Sequence, residues 1–246
     1  MTDKIDINDI IRKSISTSGI SNAATKETIV SESKTHDKEV LNESYIAEPK
    51  KYGLVTDFLT QKSKDAHLEL YANYIETLNK VAAELDTAST EEANARHSEF
   101  RSLKLDETYN KNAVWLHELF FANCFDPHSE VYMDSISYMR LERDFGGFEK
   151  WQKCFMACAL SCGEGWAVTG YDMFLKKYVC IAINHHSDGV PIGFYPVVVV
   201  DMWSHSYWKD YLTDKKNYLV AMLREINWTV VEDRFNKAEK IAGVLK

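Results

Sequence analysis

Asp201-Met202-Trp203-Ser204-His205-Ser206-Tyr207-Trp208 follows directly on an apolar, β-branched run at 196–200, and the fold is read outward from that junction. Such a run reads as a buried strand. A carboxylate at its end and an imidazole four residues later, across a turn into a helix, can point at one place. Hard oxygen and borderline nitrogen together suit iron, manganese or zinc, with no thiolate needed. The same pair also describes a buried Asp capping the turn and a His satisfied by a backbone carbonyl. For Asp-x-x-x-His alone, that structural reading is the better one.

The surrounding residues change the balance. Asp201-x-Trp203-x-His205-x-Tyr207 at a strand end resembles the signature of the iron/manganese superoxide dismutases, in which this Asp and His are two of four protein ligands. Leu141-Glu142-Arg143-Asp144-Phe145-Gly146-Gly147-Phe148-Glu149-Lys150 is similar to the segment joining that family's two domains. Gly163-Glu164-Gly165-Trp166 is similar to its Gly-x-Gly-Trp at the start of the sheet, and Val114-Trp115-Leu116-His117 to the helix carrying another ligand. The four blocks stand in the family's order and cover roughly 54–240. The overall pattern also resembles superoxide-dismutase-like proteins carried by tailed phages.

The resemblance implies a metal site holding iron or manganese, with His117, Asp201 and His205 as ligands. The family's fourth ligand is a histidine eight residues before a tyrosine that gates the substrate channel. That tyrosine matches Tyr74, but eight residues earlier stands Ala66, and His67 is adjacent. One residue is about 100° of helix rotation. Either this helix is one residue shorter than the family's and His67 enters the site, or the ligand is lost; the reading adopted is His67 as ligand. The family also uses a glutamine to tune the metal's potential. Ala113 stands in its iron-type position and Cys162 in the expected manganese-type position, and neither reproduces an amide's donor geometry. Ser204 stands where a glutamate usually bridges to a partner subunit, Leu70 where a histidine is common, and Trp208 where a second tyrosine is usual. Trp166 and Trp203 are retained as walls of the site, and Tyr74 is assigned to proton relay.

Elsewhere the chain reads as an α+β protein. In the first helix, spanning 56–85, apolar residues Leu70, Tyr71, Tyr74, Ile75, Leu78, Val81 and Leu85 repeat at three and four. A second helix at 107–123 carries Trp115, Leu119 and Phe120 inward beside His117, completing a helical hairpin. Helices at 129–143, stopped by paired glycines, and at 148–162 follow. Strands at 166–171, 178–184 and 194–201 are close enough for an antiparallel meander, and a helical C-terminus at 206–240 is anchored by Trp228. Asn184-His185-His186-Ser187-Asp188-Gly189 reads as an exposed turn whose histidines are loop residues. Cys154, Cys158 and Cys162 recur every four residues and read as small apolar residues packed in the core.

The chain has 246 residues, 45% of them apolar, enough for a sizeable core. Its division is read as a polar tail at 1–52, a helical-hairpin domain at 53–126 and an α/β domain at 127–246. The tail lacks Trp and Phe, and Ile7, Ile10, Ile11 and Ile15 form an island at helical spacing. That island makes the tail either a docking peptide for a protein partner or larger assembly, or an inert solubilising segment. A net charge of -8 excludes a general nucleic-acid binder and leaves any steering of superoxide to local basic residues. Five cysteines without a secreted-scaffold pattern suit free thiols in a reducing compartment. No run is long enough to span a membrane, and the start of the chain resembles no targeting peptide, so the expected location is cytoplasmic, in the host cell or the virion for a phage protein. Two functions compete on this reading: a divergent superoxide dismutase, and a non-catalytic structural or assembly component reusing its fold.

Overall fold

A stripe of buried side chains, Ser63, His67, Tyr71, Ile75, Leu78 and Val81, runs down the first helix at spacings of three and four. This is the pattern of a helix burying one face. In the computed structural model, which describes residues 47–124 and 128–244, that helix is α1 (Gln61–Leu85). Thr60 caps it, its hydroxyl accepting from Ser63 N. The isoleucine island and most of the tail lie outside the described residues. The part of the tail that is described, 47–52, lies against the hairpin: Ala47 and Asn79 exchange two hydrogen bonds of 2.8 and 2.9 Å, and the Tyr52 ring sits 5.4 Å from that of Phe121.

The partner of α1 is α2 (Glu99–Asn123), which begins a full two turns before the expected 107. Ser98 caps it with Glu99 in the first turn. The residues at 99–106 are mostly polar and exposed, so no apolar period announces them. The buried face of α2 includes Ala113, Val114, His117, Phe120 and Phe121. Trp115, expected inward, is half exposed on the opposite side.

The expected third helix is shorter than read. α3 spans Ile136–Phe145, and Ser129, expected inside it, instead bridges to Asn227. Glu232 accepts from the main-chain N–H groups of Ile136 and Ser137, satisfying donors that a helix start leaves free. Gly146 ends α3 in the left-handed region at φ 74°, as the paired glycines suggest. In α4 (Phe148–Ser161), Trp151, Phe155 and Ala159 face the core. Cys154, read as a core residue, is exposed; Cys158 is half-buried and Cys162 buried.

The sheet comprises β1 (Gly165–Asp172), β2 (Lys177–Asn184) and β3 (Phe194–Asp201). It is antiparallel, but its order is β2-β1-β3, so it is no meander: β3 crosses over to pair with β1. Consecutive valines at 197–200 are fully buried because β3 packs against α2 and the last helix. A register shift falls between Thr169 and Gly170. A Cβ at Gly170 would lie 2.4 Å from the Phe194 ring and 2.6 Å from the Tyr195 carbonyl, so only glycine lets the strands close here.

The C-terminal helical region is three helices among the described residues, not one: α5 (Ser204–Tyr211), α6 (Lys215–Arg224) and α7 (Trp228–Val244). Leu212 at φ 53° breaks the first, and the Asp214 carboxylate caps the second. The buried Arg234 of α7 donates to Asn123 Oδ1 at 2.8 Å, to the Val197 carbonyl at 3.1 Å and to the Leu119 carbonyl at 2.7 Å. Asn123 in turn donates to the Val199 carbonyl at 2.9 Å. These bonds fasten the end of α2 to β3, and so set His117 against Asp201.

Candidate metal centre

Four elements deliver one side chain each to a single point: His67 from α1, His117 from α2, Asp201 from the end of β3 and His205 from the first turn of α5. Their donor atoms all lie within 4.8 Å of one another. Asp201 Oδ2 is the hub, 3.1 Å from His67 Nε2, 3.2 Å from His205 Nε2 and 3.7 Å from His117 Nε2. Ligands at about 2.1 Å from one metal ion stand roughly 3.0–3.6 Å apart, so the spacing suits a coordination sphere. His67, on the buried stripe of α1, stands in the cluster; Ala66 is one position off that stripe.

The hub is fixed from behind. Asp201 Oδ1 accepts from Trp203 N at 2.8 Å, and its main-chain carbonyl accepts from the hydroxyls of Tyr218 at 2.9 Å and Ser206 at 3.0 Å. Ser204, in the position read as usually holding a bridging glutamate, receives a carboxylate instead of supplying one: its N–H donates to Glu164 Oε2 at 2.9 Å, capping α5. The walls are aromatic. The Trp166 ring meets His117 edge-on at 4.9 Å, Phe121 meets His67 at 4.8 Å, and Trp203 stacks on His205 at 5.8 Å.

The protonation states favour a cation. Burial pushes the His67 and His117 imidazoles below their usual range, His117 strongly so. Burial alone would raise Asp201, but the neighbouring His205 and His67 outweigh it and hold the carboxyl well below the usual range. His117 Nδ1–H donates to the Ala113 carbonyl at 2.7 Å, which leaves Nε2 as a lone pair. That Nε2 is buried with no hydrogen-bond partner and faces a carboxylate oxygen across 3.7 Å. Two lone pairs facing each other repel unless a cation lies between them. The donor set therefore fits a divalent or trivalent metal with nitrogen and oxygen preference.

Three sequence expectations change. Cys162, read as standing in the position of the tuning amide around the site, has its thiol 3.2 Å from the carbonyls of both Cys158 and Trp166 and serves main chain. Trp208, placed around the site by resemblance, lies half exposed on the surface. His186, read as an exposed loop residue, is fully buried. Trp166 Nε1–H donates to its Nδ1 at 3.0 Å, and its Nε2 lies 2.9 Å from the Tyr74 hydroxyl. Its ring stacks 4.9 Å from Trp203 and lies 6.0 Å from that of His117. The preceding residue, His185, takes φ 52°, the turn that sends 186 inward and leaves 185 exposed. The only sequence signal was the His-His pair at the end of a strand that borders the site.

Comparison with known proteins agrees with this arrangement. The sequence profile of the iron/manganese superoxide dismutases, C-terminal domain, matches residues 136–234. The iron superoxide dismutases of Aquifex pyrophilus and Aquifex aeolicus are each 32% identical over 182 residues, 74% of this chain and 84% of theirs. The manganese superoxide dismutase of Haloarcula marismortui is 28% identical over 174 residues, 71% of this chain and 82% of its own. A helical hairpin set against a three-stranded antiparallel sheet, with three histidines and an aspartate converging between them, is thus accompanied by similarity over most of both chains. On these grounds the chain belongs to the iron/manganese superoxide dismutase family.

Proposed function

We propose that this protein binds iron or manganese through His67, His117, Asp201 and His205 and converts two superoxide ions and two protons into oxygen and hydrogen peroxide. The observation that carries the reading is the His117 Nε2 lone pair, buried without a partner and facing Asp201 Oδ2. When bound, the metal supplies one-electron chemistry, alternating between its trivalent and divalent states. The chain's own residues do the rest. Asp201 brings one negative charge to a donor set otherwise made of imidazoles, of which burial favours His67 and His117 as neutral. Trp166, Trp203 and Phe121 exclude bulk water. The Tyr74 hydroxyl, held by His186 at 2.9 Å on a ring 5.4 Å from that of His117, is a proton-bearing group beside the cluster.

His186 takes the tuning role that the sequence reading left vacant. The indole N–H can only donate, so His186 Nδ1 accepts and Nε2 carries the proton. This neutral imidazole, stacked against Trp203, supplies an oriented dipole beside the ligands, and outer hydrogen bonds of this kind set metal potentials. The test is to reconstitute metal-free protein with iron or with manganese and to follow superoxide decay by stopped flow. Turnover that depends on one of the two metals is expected. A stoichiometrically loaded protein that leaves superoxide decay at its spontaneous rate would overturn the enzymatic reading. It would favour the alternative, a non-catalytic component of a larger assembly such as a virion, in which the metal only stiffens the fold.

A further inference from the structure

Arg140 and Arg143 of α3, Tyr171 of β1, Met173 and Lys176 of the following turn and Glu239 of α7 line a cavity of about 140 Å³. Tyr171 stands five residues along β1 from Trp166, roughly 17 Å at the rise of a strand. The cavity therefore lies toward the end of the sheet away from the metal centre. Three cationic side chains and one carboxylate line it, in a chain whose net charge is -8.

The carboxylates nearby are already engaged, and they leave the cations with donors to offer. Glu239 accepts from Arg140 Nη2 at 2.8 Å with one oxygen and from the Tyr178 hydroxyl at 3.0 Å with the other. Because Glu239 divides its oxygens in this way, it does not complete the Arg140 fork. Arg140 Nε, on the same edge of the guanidinium as Nη2, is buried with no acceptor. Asp144 takes Nε and Nη2 of Arg143 at 2.5 and 2.8 Å, fixing that guanidinium in place while its Nη1 stays uncommitted. Asp144 is itself held by the Tyr178 N–H at 2.8 Å. Among the described residues Lys176 has no carboxylate partner, and its φ of 54° belongs to the tight turn between β1 and β2. Two arginine forks held by carboxylates, with a free ammonium across from them, form a preorganised set of donors for a charged, multi-oxygen acceptor.

We propose that this cavity binds a small oxyanion of the phosphate class, free or carried on a short ester, at a site separate from the metal centre. The guanidiniums of Arg140 and Arg143 and the Lys176 ammonium supply the donors. Met173 supplies an apolar wall beside them. The site does not depend on the dismutase reading, because none of its residues reaches the metal cluster.

The test is calorimetric titration of the full-length protein, with and without its metal, with inorganic phosphate at constant ionic strength. Saturable binding is expected in both forms, with a rise in thermal midpoint that chloride does not reproduce. Lys176→Asn keeps a residue that tolerates the left-handed turn and should weaken binding about tenfold, the loss of one charge-assisted bond. Arg143→Gln should weaken it at least as much, and both variants should keep the metal content of the unaltered protein. In protein labelled with nitrogen-15 at arginine Nε, the Arg140 resonance, identified with Arg140→Lys, should move on addition of phosphate. Glycerol phosphate distinguishes the two sources: tighter binding than inorganic phosphate assigns the Met173 wall to the carbon part of an ester, and equal or weaker binding assigns the cavity to the free ion. Absence of saturable binding would overturn the proposal, as would an affinity unchanged in Lys176→Asn. Binding that disappears when the metal is removed would also overturn it, by placing the anion on the metal.

Discussion

Lowering the pH should destabilise the metal-free protein through His186, by an amount the structure allows us to work out. The imidazole is fully buried, and its Nδ1 already accepts the Trp166 N–H, so protonating it sets two N–H groups against each other. Burial pushes its pKa from 6.5 to about 4. The unfolded chain therefore takes up this proton below about pH 6.5, while the folded protein refuses it until about pH 4. Between those values the unfolded state binds more protons, so stability falls as pH falls. At about 1.4 kcal/mol per pH unit, the loss from this group is about 2 kcal/mol at pH 5 and about 3 kcal/mol at pH 4. His67 and His117 are shifted downward too and add to the slope in the same direction, whereas Asp201 adds its share only below about pH 4. The comparison that isolates His186 is His186→Gln, whose amide can accept from Trp166 and donate to Tyr74 but does not titrate. Urea unfolding of both metal-free proteins between pH 7.5 and pH 4.5 should give a shallower dependence for the variant. Parallel curves would refute the reasoning and mean that the imidazole finds a proton-accepting partner in the folded state.

Three further outcomes are expected. Arg234→Met should lower stability by about 3 kcal/mol in urea unfolding, because the Asn123 side chain and the carbonyls of Leu119 and Val197 lose their shared donor inside the core; a loss below about 1 kcal/mol would mean that water replaces the guanidinium. Gly165→Ala should fail to fold or lose several kcal/mol, since its Cβ would stand 2.0 Å from the Ile183 carbonyl on the neighbouring strand; a circular-dichroism melt like that of the unaltered protein would contradict the strand register. Cys162→Ser should leave metal content and dismutation unchanged, because the thiol serves two main-chain carbonyls and a hydroxyl can do the same; a changed visible spectrum of the loaded protein would return this side chain to the site.

Most of the fold was legible because its signals are local or are carried by motifs. The α1 stripe, the Gly146 stop and the valine run of β3 are each written in a few adjacent residues, and Asp201 and His205 follow from that run. His67 is a different case. The resemblance placed the ligand one residue away, and only the buried stripe of α1, on which 63, 67, 71 and 75 align, shows which of the two positions faces the cluster. What was illegible depends on contacts between distant segments. The crossover of β3 to β1 cannot be seen from loop lengths that also suit a meander. The starts of α2 and α3 are set by caps on polar stretches with no apolar period. His186 escaped because its turn is polar, and polar turns are read as exposed; its burial comes from Trp166, Tyr74 and Trp203, which lie up to 112 positions away along the chain. Sequence reading therefore brought forward the four residues that converge and missed the network that surrounds them.

The measurement that tests the central claim most directly is the metal content of protein purified without added metal, set beside that of His67→Ala and His117→Ala. The account expects near-stoichiometric iron or manganese in the unaltered chain and a comparable large loss in both variants, since both imidazoles face Asp201 in one cluster. Full occupancy in His67→Ala would remove that residue from the ligand set. No bound metal in the unaltered chain, with iron and manganese both supplied, would contradict the account and leave the three histidines and Asp201 as a buried polar cluster of the fold.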